Sequence, residues 1–291
     1  MIHFLNVFTD EAFAVNDFSA LGMANSNIEN TLTFCDDAQY VQEINHNSCI
    51  LGVITTESLA LEFANKKLFT DDDPRYTFFS IYNKNADLNK VRKPSVIHPT
   101  AKIHPRAYVS DINVVIGENT IVHPNVTILE DVYIGANCVI QSGTVIGSEG
   151  FEYKRTKKGV ISVLHDGRII IHNNVQIGAN TCVDKGFSYR DTVIEDDVMI
   201  DNLIHVAHSV HVKRGAFVIA GTSLGGSSEI CENAWLSVNT SIAPKVKVNK
   251  NAFVSIGAVV TKDVDENQHV SGNFAVPHQK FIKFIKSILK D

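Results

Sequence analysis

The most constraining feature of this 291-residue chain is an aliphatic residue that returns every six positions. It runs through Ile116, Val122, Ile128, Ile134, Ile140 and Ile146, and resumes at Ile171, Ile177 and Val183. From Ile194 it continues without a gap through Ile200, Val206, Val212, Val218, Leu224, Ile230, Leu236, Ile242, Val248 and Val254 to Val260. A weaker run precedes it at Ile97, Ile103 and Val109. A period of six fits neither a 3.6-residue helix nor a two-residue strand; it fits a hexapeptide β-helix. Each six residues then form one flat side of a triangular prism, with the aliphatic side chain pointing inward. The corners carry Gly117-Glu118-Asn119, Gly135-Ala136-Asn137, Gly178-Ala179-Asn180 and Val248-Asn249-Lys250-Asn251. Gly and Asn tolerate the left-handed backbone that such corners require.

The period predicts a mostly β chain: a left-handed parallel β-helix over residues 95–265. Residues 1–94 lack the repeat and read as a small α/β domain, with a strand over 48–54 and a helix starting after Asp71-Asp72-Asp73-Pro74. Residues 266–291 form a tail ending in a helix with Phe281, Phe284, Ile285 and Ile288 on one face and lysines on the rest. That face is expected to pack on the end of the prism, or to offer a basic surface to an acidic carrier protein. The register breaks twice, at 147–170 and 184–193, and insertions on a solenoid often build its binding site.

A net charge of -6 without a basic cluster argues against nucleic acid. The N-terminus does not read as a signal peptide, and no window approaches a membrane span. Five cysteines with no CxxC spacing suit a reducing, cytoplasmic setting. Phosphate-loop, dinucleotide, serine-elbow and HExxH motifs are absent from the sequence. His205, His208 and His211 follow one another at spacing three, but on a prism they turn to different sides, so no metal site is expected. His208 falls at a corner, where a side chain points outward.

Gly178 to Gly186, Asp191-Thr192-Val193-Ile194 and Asp201-Asn202 through Ala207-His208-Ser209-Val210 resemble the core motif of UDP-3-O-acylglucosamine N-acyltransferases of lipid A biosynthesis. Gly147-Ser148-Glu149-Gly150-Phe151 and the segment Leu32 to Tyr40 add to the resemblance, which spans about residues 30–245. It implies His208 as general base, Asp201, Asn202 and Phe151 near the acceptor sugar, and Phe34 with Tyr40 as the aromatic pair around the nucleotide base. A neutral imidazole is a competent base near neutral pH.

The chain departs from that pattern in carrying Lys245 where the family has a second histidine, and Asp37 where it has an asparagine. Its closing segments, Ile256 to Val264 and Ser271 to Ala275, are similar to those of acetyl-CoA-dependent hexapeptide acetyltransferases. That similarity implies donor contacts from Gly221, Gly257, Ala258, Lys262 and Asn273. The expected activity is transfer of an acetyl or short acyl group from CoA, a co-substrate rather than a bound cofactor, to the amine of a UDP- or dTDP-linked amino sugar. Polysaccharide biosynthesis is the expected setting and a homotrimer the expected assembly. The alternatives are the lipid A enzyme itself with an acyl carrier protein donor, a carbonic anhydrase of the same fold class, and a non-catalytic scaffold.

Overall fold

The computed structural model describes residues 18–88, 90–272 and 275–288. From Val96 onward the chain winds as a left-handed parallel β-helix whose three flat faces are parallel sheets. The first face runs from Val96–Ile97 to Lys247–Val248, the second from Lys102–Ile103 to His269–Val270, and the third from Tyr108–Val109 to Val259–Val260. The aliphatic repeat is the inner stack of each face. On the first, Ile116 pairs with Ile134, Ile134 with Ile171, and Ile171 with Ile194. On the third, Ile128 pairs with Ile146, Ile146 with Val183, and Val183 with Val206. Most of these side chains are fully buried, and each such burial stabilises the prism by about 1.5–3 kcal/mol. At the corners, Asn119, Asn137, Asn180, Asn239 and Asn251 take positive φ, and Asn side chains bond across coils, as between Asn251 and Asn267 at 3.0 Å.

The prism extends past the expected limit of residue 265. His269–Val270 adds a further strand to the second face by pairing with Phe253–Val254.

The N-terminal unit has a parallel four-stranded sheet in the order β1 (Ala20–Leu21), β2 (Thr31–Cys35), β3 (Ile50–Thr55) and β4 (Lys67–Thr70). Helices α1 (Val41–His46), α2 (Glu57–Ala60) and α3 (Pro74–Leu88) accompany it. Pro74 opens α3, where its fixed φ suits a first helical position, and Asp73 Oδ1 accepts from Tyr76 N at 3.3 Å. Phe78, Phe79 and Tyr82 of α3 pack fully buried against the sheet.

Both register breaks tie this unit to the prism. The first folds into an antiparallel hairpin, Tyr153–Thr156 with Gly159–Ser162. Val163 behind the hairpin and Phe187 of the second excursion enter the same apolar cluster as Phe78 and Tyr82. Asn83 of α3 reaches Ser162 O at 2.7 Å and accepts from Leu164 N at 2.9 Å. Tyr82 Oη donates to Asp166, and Ser188 N donates to the same carboxylate at 2.8 Å. Burial pushes the Asp166 carboxyl above its ordinary range.

The C-terminal helix α4 (His278–Ile288) does not pack on the end of the prism, contrary to expectation. Phe281, Phe284 and Ile288 are 48%, 60% and 58% exposed. No described helix is long and apolar enough to cross a membrane.

Candidate active site

His208 lies on the edge where the third face turns into the first, between strands His205–Val206 and His211–Val212. Ser209, next to it, takes φ 57°, and its amide donates to Thr192 Oγ1 at 2.8 Å. The His208 carbonyl accepts from Ser227 N of the next coil at 2.9 Å. The backbone is therefore fixed by the coil ladder, and the imidazole is thrown outward.

Both excursions leave the prism at this same edge. The first departs after Ile146 of the third face and returns at Ile171 of the first; the second departs after Val183 and returns at Ile194. They fold over the turned-out imidazole and leave its side chain 16% exposed. Phe187 lies edge-on to the ring at 5.1 Å and His165 at 5.9 Å. Gly150 and Gly226 border the ring so closely that a Cβ at 226 would stand 2.5 Å from His208 Nε2. Glu152 Oε2 faces that same nitrogen at 3.7 Å, and Lys154 clasps the other carboxylate oxygen. Arg190 stacks its guanidinium 5.2 Å from the Phe187 ring and donates to Ser227 Oγ at 3.0 Å.

Burial is the main reason the His208 pKa falls below its ordinary value; Glu152 opposes the shift, and His165 and Arg190 add to it. His165 is lowered for the same first reason. The neutral imidazole is thus favoured, and its Nε2 faces Glu152 and Gly226. Its Nδ1 is buried with no hydrogen-bond partner among the described residues. The other two histidines of the series take separate carboxylates, His205 with Asp184 at 2.9 Å and His211 with Glu195 at 2.6 Å. Among the described residues no group of three or more His, Cys, Asp or Glu is placed to hold a metal ion.

Asp201 and Asn202 are not beside His208 within one chain. They sit on the edge between the second and third faces, where Asp201 accepts from Ala220 N at 3.2 Å and Asn202 Oδ1 from Ala179 N at 2.7 Å. Gly221, Gly257 and Ala258 follow them up that edge, because corners eighteen residues apart stack. A groove of about 510 Å³ over Met199, Phe217 and Trp235 of the second face reaches Asp201 and Asn202. Lys262, by contrast, lies on the His208 edge, several coils on, and Asn273 lies outside the described residues.

The expected aromatic pair lies in the N-terminal unit. Phe34 of β2 packs against Phe78 and Phe79 at 5.0 and 5.4 Å, with the Arg75 guanidinium 6.0 Å from its ring. The ring packs on that apolar cluster and stays partly exposed. Tyr40 stands 45% exposed in the turn at 38–40. Phe151 is 86% exposed and meets Tyr153 edge-on at 4.9 Å, at the mouth of the His208 site.

The family model described as bacterial transferase hexapeptide (six repeats) matches residues 113–148. That span lies within the β-helix, where the six-residue period runs on beyond it. It is 44% identical over 160 residues to UDP-3-O-acylglucosamine N-acyltransferase 2 of Legionella pneumophila (strain Lens), covering 54% of this chain and 46% of that protein. It is 43% identical over 110 residues to UDP-3-O-acylglucosamine N-acyltransferase of Rickettsia bellii, covering 38% of this chain and 32% of the relative. The chain therefore spans about half or less of the length of these curated relatives. A UDP-N-acetylglucosamine acyltransferase from Campylobacter jejuni shares the fold at 19% identity, with a TM-score of 0.53 over 68% of this chain and 83% of that one.

Sequence reasoning singled out the two excursions but not Glu152, His165 or Arg190 within them. The signal was present in the register. Both breaks fall between a third-face and a first-face residue, so the excursions must emerge at the edge that carries His208.

Proposed function

We propose that this hexapeptide-repeat chain transfers an acyl group from a thioester to the amine of a nucleotide-linked amino sugar, with His208 as general base. The observation that carries this is the His208 corner: a mostly enclosed imidazole, favoured in its neutral form, with Nε2 facing Gly226 and Glu152. His208 takes a proton from the amine as it attacks the thioester carbonyl, and returns it to the departing thiolate. Such a base contributes about 10²–10⁴ in rate.

The relatives favour UDP-3-O-acylglucosamine as the acceptor, since that is the substrate in their names. The resemblance implies an acyl carrier protein as donor. The CoA donor, by contrast, rests only on the closing coils and finds no support among these relatives. The exposed apolar face of α4, flanked by Lys280, Lys283 and Lys286, is a surface of the right charge for an acidic carrier. The second–third edge, with Asp201, Asn202, Gly221, Gly257 and Ala258, meets the His208 edge of a neighbouring prism in the proposed homotrimer. Five free cysteines are consistent with a cytoplasmic setting.

The test is acyl transfer to UDP-3-O-acylglucosamine from acyl carrier protein and from CoA thioesters, with wild type and His208→Ala. Turnover by the wild type alone, faster from the carrier protein, is the expected result. Transfer that survives His208→Ala removes the general-base assignment, and preference for CoA restores the short-acyl reading.

A further inference from the structure

Glu152 has no evident task in the fold. Its carboxylate is 12% exposed, and Oε2 is turned toward His208 Nε2 at 3.7 Å with no hydrogen bond to it seen among the described residues. That separation is too long for a hydrogen bond and short enough for both atoms to reach one nitrogen placed between them at ordinary bonding distance. Lys154 holds the other oxygen and thereby fixes the orientation of the carboxylate. Gly226 keeps the space beside Nε2 clear, since any Cβ there would collide with the ring.

We propose that Glu152 and His208 together form the seat for the acceptor's ammonium group, with Glu152 taking the second of the two protons that N-acylation must shed. This rests on the acyl-transfer reading above. An alcohol brings one proton to lose, and one base serves it. An aliphatic amine is largely protonated near neutral pH, so an ammonium must give up two protons on its way to an amide. One ammonium proton passes to His208 Nε2, and the freed lone pair forms the C–N bond at the thioester carbonyl. The second nitrogen proton passes to Glu152 and on to water. The C–S bond then breaks, and the imidazolium protonates the thiolate. The products are amide, thiol and one released proton.

The groups facing His208 divide by sign. Glu152 and Asp184 favour its charged form, whereas burial, His165 and Arg190 oppose it. Removing the Glu152 charge therefore moves the acid limb of the rate profile to lower pH.

The experiment measures calorimetric binding of UDP-3-O-acylglucosamine and of its N-acylated counterpart to the full chain, wild type against Glu152→Gln. The free amine is expected to bind at least tenfold more weakly to the variant, and the N-acylated ligand to bind within twofold of wild type. The acid limb of kcat/KM should move down in pH, and Glu152→Asp should restore part of the amine affinity. Equal weakening of both ligands, or no change in either, overturns the Glu152 assignment and leaves the acyl-transfer reading intact. A wild type that binds neither ligand overturns both.

Discussion

The prism has two instructive edges. The second–third edge repeats one plan coil after coil: Leu203, Gly221, Asn239 and Gly257 take matching left-handed positions eighteen residues apart. The third–first edge follows the same backbone plan, with Ser209, Ser227 and Lys245 in matching left-handed positions. Yet at one coil it encloses an imidazole against Phe187, His165 and Glu152. The repeat is common to both edges. The two insertions are not, and they supply the low-dielectric surroundings that lower the His208 pKa. A solenoid makes corners equivalent; an insertion is what makes one of them chemically different.

The largest effect expected from this contrast is at His208. His208→Ala should cut acyl transfer by about 10²–10⁴ while leaving the melting temperature nearly unchanged, because the ring adds little to the prism core. Steady-state kinetics and thermal melting read the two effects separately. A variant retaining more than about a tenth of wild-type turnover would show that the enclosed edge is structural only.

Next comes Gly226→Ala. The new methyl would stand 2.5 Å from Nε2 and 2.6 Å from Cε1, so the ring must swing away from Glu152. Activity should fall tenfold or more with little loss of stability, since the clash is with a side chain rather than backbone. Full activity would mean that the position of the ring does not matter.

How much of this was legible beforehand differs between the edges. The stacking of Ile116 on Ile134, and of Val206 on Leu224, followed from the period alone, because inward burial dictates it. The corner position of His208 followed from its offset from Val206. What the period did not reveal was the partner set, since Glu152 and His165 belong to segments without a repeat, whose path depends on docking with α3. The same docking sets Phe78 and Phe79 beside Phe34, contacts that its place in β2 alone did not reveal. Asp201 shows how the turn separates neighbours in sequence: seven residues from His208, it is one whole face away within a single chain.

The third prediction concerns pH. His208 and His165 both have folded-state pKa values pushed below the ordinary imidazole value by burial. In the window between the ordinary value and the lowered ones, the unfolded chain binds more protons than the folded one, so stability falls as pH falls through it. The acid limb of activity should correspondingly lie below about 6.5. Replacing His165 by Gln should flatten the acid side of the stability curve without removing the limb. His205 titrates in the opposite sense, since its hydrogen bond with Asp184 raises its pKa; it therefore adds stability that is lost as pH rises. A stability curve that rises toward acid would show that this pair outweighs the enclosed histidines.

The smallest expected effect tests the plain edge. Gly257 has φ +67°, and a Cβ added there would meet nothing within 4 Å. Gly257→Ala therefore makes no clash and costs only the left-handed backbone penalty, about 1–2 kcal/mol. If the second–third edge is only a turn, chemical denaturation registers that loss and the kinetics do not change. The proposed homotrimer sets this edge against the His208 edge of a neighbour, and there an added methyl narrows the cleft on the donor side. The expected outcome is therefore a modest loss of stability with a several-fold rise in KM for the acyl donor and an unchanged KM for the sugar. An unchanged donor KM would leave the chemistry to the third–first edge of a single protomer.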